Sequence, residues 1–305
     1  MVILNLYTKG LISKYNTHQL TKRTVLSNKM VRIASYVFTD LETTGLPHQE
    51  RNRTKITELS FVAVLRKDIE QASLGNRPFT SKLTFILNPE KKIDPYVEKF
   101  TGITNEMVKN ASVFKEKTET ILSFLKELPK PVCLVAHNGY NFDYKILLAE
   151  FTDIKMSLPD DLLCVDSLVG FRKMHKENYP KLSTSNNFSF EDSIGSEDWP
   201  DLNISSEDWN EIDSLCSSLS NIDFDSSQGS VCLSPKNGGK EKEILSFKLP
   251  DLYRRLVKKE VIGAHRAEAD CLMLLDCVVA SKEFLIWTDK YCKHISDIKP
   301  LQRDI

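Results

Sequence analysis

Apolar residues alternate with polar ones, or run together in short β-branched and aromatic stretches, over residues 36–41, 56–65 and 82–87, and Gly, Pro and Asn signals separate these runs. The pattern predicts three sequential strands in a meander. Further along the period changes: Ile121, Leu122, Leu125 and Leu128 recur at helical spacing and the run stops before Pro129, which predicts a helix over 113–128. Short continuous apolar strands are predicted at 132–136 and 162–165, with a helix over 141–151 between them. Residues 249–257, 266–280 and 284–291 read as helices. Strands first, then helices alternating with strands, predict an α/β sandwich around a mixed sheet.

One stretch breaks this patterning. Residues 183–234 hold fifteen serines and a near-repeat, SEDW at 196–199 and again at 206–209. From Leu182 to Pro235 there are eleven acidic residues and no Lys or Arg. Low hydrophobicity with charge of one sign does not offset the entropy of ordering, so 182–240 is expected to be a disordered insertion. The two Trp residues make the SEDW repeats a docking motif for a partner, or an acidic decoy; a tolerated insertion without a role fits equally.

Charge then changes the picture of the remainder. The formal net charge is −1, but the 251 residues outside 182–235 carry 41 basic against 31 acidic side chains, a balance of +10. Such a body could hold a polyanion, and it could equally be a Lys-rich solvated surface. Residues 1–39 contain no acid and carry Lys9, Lys14, Lys22, Arg23, Lys29 and Arg32. The basic extension 1–34 is expected to be disordered or transit-like, giving mitochondrial import if it is translated; a start at Met30 would bypass it. Seven cysteines without a C-x-x-C pair point to a reducing compartment, nucleus or cytoplasm, and not to a structural zinc site. No apolar run approaches a membrane span, so no membrane is expected among the partners.

Candidate chemistry begins in YVFTDLETTGLP, residues 36–47. Side chains at i and i+2 of a strand share a face, so Asp40 and Glu42 lie about 7 Å apart and converge. Two anions beside a core raise their pKa values or require cations, and a divalent metal answers that need economically. Alone, such a pair is as easily a solvated strand end or a turn cap. Two more segments supply acids. AHNGYNFDYKILLAE puts Asp143 in the first turn of a helix that follows a buried strand. AHRAEADCLMLL puts His265 in a loop and Asp270 near the start of an apolar helix, where the imidazole is placed to act as a general base.

Together with LCVDSL at 163–168, LNPEKKIDPYVEKFTGIT at 87–104 and FKLPDLYRRL at 247–256, these motifs make the sequence similar to the DEDDh (DnaQ-like) class of 3′-to-5′ exonucleases, and within it to the three-prime repair exonuclease (TREX) family. The resemblance spans about 35–300, interrupted by the insertion, and leaves 301–305 as a tail. It implies an RNase H-like fold with a mixed five-stranded sheet in order 3-2-1-4-5 flanked by helices. It implies a catalytic quartet at Asp40, Glu42, Asp143 and Asp270 holding two Mg2+ ions, with Mn2+ able to substitute, and His265 taking the proton of the attacking water. In this reading Leu46 wedges against the terminal base, backbone groups around Thr43 and Thr44 lie near the nucleotide, and Phe142 and His265 are further substrate-binding residues. Arg51, Arg53, Lys55, Lys240 and Lys242 are candidate phosphate contacts.

The expected function is 3′-to-5′ DNA exonuclease action that releases nucleoside 5′-monophosphates from single-stranded or frayed ends. A homodimer joined through the edge strand from Lys82 to Leu87 is expected from the same resemblance. A 3′-to-5′ exoribonuclease on the same fold is the nearest rival, because four acids do not select the sugar. A catalytically silent nucleic-acid-binding adaptor is the rival of another class; binding without metal-dependent cleavage would distinguish it.

Overall fold

Strand β1 (Ser35–Thr43) is the centre of the sheet. It pairs antiparallel with β2 (Ile56–Leu65) and parallel with β4 (Val132–Ala136). β3 (Ser81–Ile86) adds antiparallel to β2, and β5 (Leu163–Asp166) adds parallel to β4. The expected five strands are joined by a sixth: β6 (Lys293–His294) lies antiparallel to β5, so the order is 3-2-1-4-5-6. Two residues are too few to show a period of 2, and β6 exists only because the returning chain meets the open edge of β5. This computed structural model describes residues 31–178, 245–261 and 265–303.

The helices are α1 (Arg66–Gln71), α2 (Pro95–Thr101), α3 (Asn105–Val108), α4 (Phe114–Glu127), α5 (Asp143–Asp153), α6 (Ser167–Asn178), α7 (Leu249–Val257), α8 (Ala267–Ala280) and α9 (Glu283–Tyr291). The short α1, α2 and α3, and α6, were not legible as helices. Local chemistry makes α2: Asp94 caps the Tyr96 N–H, Pro95 pre-sets the first turn, and Gly102 closes it at φ 71°. No helix among the described residues is long and apolar enough to cross a membrane.

Two cores lie on opposite faces of the sheet because strand side chains alternate. Tyr36 and Phe38 of β1 and Val62 and Val64 of β2 pack with residues of α7, α8 and α9, including Leu252, Leu274 and Phe284. Val37 and Leu41, with Leu59 and Phe61, pack with α4 and α5 through Ile121, Leu125, Ile146 and Leu147. Each such side chain contributes about 1.5–3 kcal/mol on burial. Asp40 and Glu42 share the parity of Phe38, so β1 aims them at the α8 face.

The chain divides into two compact units, Met1–Met174 with Phe247–Ile305, and His175–Ser246. Of the second unit, only 175–178, the end of α6, and 245–246 are described. The predicted insertion 182–240 with Lys240, the nearby Lys242, and residues 1–30 of the predicted extension 1–34 lie outside the described residues; the end of that extension is tied to the domain, Ile33 being buried with its N–H donating to Asp289 of α9 at 3.1 Å. Residues 301–303, expected as a tail, are tied to α5: the Leu301 N–H donates to the Lys145 carbonyl, and Arg303 pairs with Glu150 and Asp153.

Candidate active site

At the C-terminal end of β1 the carboxylates of Asp40, Glu42 and Asp270 present oxygens that all lie within 4.8 Å of one another. β1 supplies two of them from one face, and the first turn of α8 supplies the third. Burial, then the Asp143, Asp270, Glu42 and Glu58 charges, pushes the Asp40 carboxyl well above its ordinary range. Burial and the neighbouring acids lift Glu42 to about 8. Asp270 rises to about 6 through burial, moderated by the His265 N–H that donates to its Oδ2 at 3.1 Å. Three anions this close are unstable together without compensation. Oxygen donors in a tight, partly desolvated group are the chemistry a hard divalent cation takes.

Asp143 reaches the site from the opposite face as the first residue of α5 and is 4% exposed. It is the largest charge acting on Asp40, and burial lifts it to about 8 while amides, the Leu41 N–H among them, draw it down. Its oxygens stand outside the 4.8 Å group. The loop before it is shaped by Asp166, which is fully buried and accepts the N–H groups of Asn138, Tyr140 and Leu168 at 3.0–3.1 Å. Those bonds hold Asn138 in the left-handed region at φ 65° and set the chain entering α5.

His265 occupies the approach to α8, itself at φ 66°. Its imidazole does not join the converging oxygens and instead packs on Phe100 of α2, ring centroids 4.0 Å apart. Burial lowers its pKa, so the ring is neutral at pH 7 and able to accept a proton.

Sequence reasoning missed Glu58 and Arg266. Glu58 stands directly opposite Glu42 across the β1 and β2 pair and is 2% exposed. Arg266 grips both its oxygens, with the shortest contact at 2.6 Å, and the Ala267 N–H adds a bond at 2.9 Å. A carboxylate inside the otherwise apolar run ITELSFVAVL was the available signal.

The turn after β1 is held from within. Thr43 Oγ1 donates to the Gly45 carbonyl, Thr44 Oγ1 donates to Glu50 Oε2, and both threonines are buried. Their hydroxyls are thus committed, and any nucleotide contact there falls to backbone groups. Leu46 is half-buried and belongs to neither face's core. Phe142 precedes α5 and packs against the α4 and α5 side. Arg51 and Arg53 are exposed beyond the turn. Lys55 is a correction: its ammonium pairs with Glu150 at 3.1 Å and Asp153 at 2.7 Å, so acids of α5 and not phosphates occupy it.

The family profile described as Exonuclease (RNase_T) matches residues 37–191. Three prime repair exonuclease 2 of Mus musculus is 24% identical over 280 residues, covering 88% of this chain and 93% of that protein. Three prime repair exonuclease 2 of Homo sapiens is 33% identical over 154 residues, 48% of this chain and 64% of that protein. Among solved structures, the nuclease domain of 3′hExo, a DEDDh family member, bound to rAMP, superposes with a TM-score of 0.51 at 12% identity, covering 86% of this chain and 97% of that one. At that identity the likeness concerns the fold alone.

Proposed function

Since this chain belongs to the Exonuclease family, we propose that it is a metal-dependent 3′-to-5′ DNA exonuclease that releases nucleoside 5′-monophosphates from single-stranded or frayed ends. The observation that carries this reading is the convergence of Asp40, Glu42 and Asp270 oxygens within 4.8 Å, with Asp143 buried behind them.

Asp40, Glu42 and Asp270 are the residues that would hold divalent cations, Mg2+ by preference and Mn2+ in its place, with Asp143 completing the acid set. Two such ions held there would supply charge to offset the phosphodiester, acidity for an attacking water and stabilisation for a departing 3′ oxygen. The protein's own part is to keep four carboxylates in one partly buried pocket, where they repel a phosphate until they are neutralised. His265, neutral at pH 7, takes the proton of the attacking water after its ring leaves Phe100. Leu46 wedges against the terminal base; an apolar contact of this kind accepts any base and favours an unpaired 3′ end. Arg51 and Arg53, exposed beyond the turn, are the phosphate contacts of this reading.

The homodimer remains part of the proposal. Among the described residues β3 is an edge strand of the sheet, and in this reading it pairs a second copy.

The deciding experiment is cleavage of single-stranded DNA labelled at its 3′ or its 5′ end, with Mg2+ and then with EDTA. Mononucleotide release from the 3′ label at once, shortening ladders from the 5′ label, and arrest by EDTA are expected. A matched RNA oligonucleotide degraded faster than DNA would replace the substrate class, and tight binding without cleavage would leave the adaptor.

A further inference from the structure

The nuclease reading uses four carboxylates, yet a fifth is buried among them. Glu58 opposes Glu42 in register, on the same face of the sheet as Asp40, and its charge bears on Asp40, Glu42 and Asp270. An unpaired anion there would add to the repulsion that the site already holds.

Glu58 is not available to a cation. A carboxylate offers about four lone-pair positions. Here Oε1 accepts from Arg266 Nη2 at 2.6 Å and Nε at 3.2 Å, while Oε2 accepts from Arg266 Nε at 3.0 Å and from the Ala267 N–H at 2.9 Å. Three N–H groups make these four contacts, the Nε–H being shared between the two oxygens, and Glu58 is absent from the converging oxygens. The bond with Glu58 in turn raises the Arg266 pKa, and Glu42 adds to the attraction.

These bonds land on a particular place. Ala267 is the first residue of α8, whose N-terminal N–H groups have no partner within the helix, and the Glu58 carboxylate caps one of them from another strand. The rest of α8 is secured otherwise: Cys271, Met273, Leu274, Leu275, Cys277 and Val278 are buried in the core, and Glu268 bonds Lys82 and Thr84 of β3. Asp270 therefore rides on a helix that the core already holds. His265, immediately before Arg266, lies outside that helix.

We infer that Glu58 is a positioning residue that acts through Arg266 and the Ala267 N–H to fix the entry of α8, and so the position of His265, against the strand that carries Asp40 and Glu42. The inference rests on the nuclease reading for its kinetic consequence but not for its structural one. By this account the site holds five acids, one neutralised by the protein itself and four left for cations.

The test compares Arg266→Ala and Glu58→Gln with the unsubstituted chain. Loss of such a supporting partner is expected to lower kcat roughly 10- to 100-fold in both. KM for an oligonucleotide is expected to hold, and the Mg2+ activation midpoint of Arg266→Ala is expected not to rise, because that variant leaves more negative charge at the site. Free guanidinium at low concentration restores part of the kcat of Arg266→Ala and none of that of Glu58→Gln. Amide hydrogen exchange gives a readout without turnover: protection at Ala267 and its neighbours falls in both variants, and β1 stays protected. A rise in the Mg2+ midpoint of Arg266→Ala, or kcat unchanged in it, overturns the inference. If the unsubstituted chain cleaves no nucleic acid, the nuclease reading fails by itself, and exchange still decides: unchanged protection at Ala267 in Arg266→Ala overturns the clasp. That variant removes a half-exposed side chain, so it answers even where Glu58→Gln does not fold.

Discussion

The imidazole of His265 packs in a tilted contact against the ring of Phe100, 4.0 Å between centroids with the planes inclined by 43°. Only the backbone of His265 touches the acid group, through its N–H to Asp270. Removing the side chain therefore removes a proton acceptor and leaves the carboxylates as they are. His265→Ala is expected to lower kcat about 10²–10⁴-fold while metal affinity, measured by calorimetry, stays unchanged. Equal loss of metal affinity would assign the ring to the cation site.

Asp270→Asn separates the two roles from the other side. It removes one charge from the group of three, so the metal-free protein is expected to melt at a higher temperature than the parent at pH 8, and Mg2+ to stabilise it less. Nuclease activity is expected to vanish. Parallel thermal melts with and without Mg2+ check both halves.

The raised carboxyls set a pH dependence with a definite sign. Glu42 and Asp143 both rise to about 8 in the folded chain, chiefly through burial, whereas unfolded carboxyls titrate near 4. Between those limits the folded state binds more protons than the unfolded one, so metal-free stability falls as pH rises through that window. Cations bind the deprotonated form and release protons. The Mg2+-induced increase in Tm is therefore expected to be larger at pH 8 than at pH 6, with proton release visible by calorimetry in buffers of different ionisation enthalpy.

Leu46 lies in the turn and in neither face's core. Leu46→Ala is expected to change stability by less than about 1 kcal/mol, well under the 2–5 kcal/mol of a core leucine. Its effect should fall on substrate: up to about 1.5–3 kcal/mol of binding to a single-stranded 3′ end, the scale of covering a leucine side chain, read as a higher KM. A large loss of stability with unchanged KM would make Leu46 a packing residue.

Stability has its own test far from the acids. Asp289 accepts Arg66 Nη1 at 2.7 Å and the Ile33 N–H at 3.1 Å, and Arg66 also reaches the Tyr36 hydroxyl, all buried. Asp289→Ala removes one of the two carboxylates on this guanidinium, Glu70 staying on its Nε at 2.7 Å, and leaves the Ile33 N–H without its acceptor; it is expected to cost about 1.5–3 kcal/mol in urea unfolding. Nuclease activity per folded molecule should not change.

Much of this fold is legible from local patterning because long elements carry their own period. The helix at 249–257 coincides with α7, and α4 and α8 begin one residue after their predicted starts. Short elements do not carry enough residues to show a period: α1 has six, α3 four and β6 two. The acids Asp40, Glu42, Asp143 and Asp270 were legible because each is a charge set in an apolar surrounding. Glu58 met that same criterion and was passed over because no motif drew attention to it, and Lys55 was misread because its partners lie on α5.

What the sequence determined by itself is the alternation that puts Asp40 and Glu42 on one face of a buried strand, and the helical period that fills both sides of the sheet. Those are properties of neighbours along the chain, set by backbone geometry. The tertiary structure alone decided which distant groups meet: Asp270 with Glu42, Arg266 with Glu58, Phe100 with His265. Charge and ring-contact energies depend on separation and burial, and for residues far apart in the chain these exist only once it has folded.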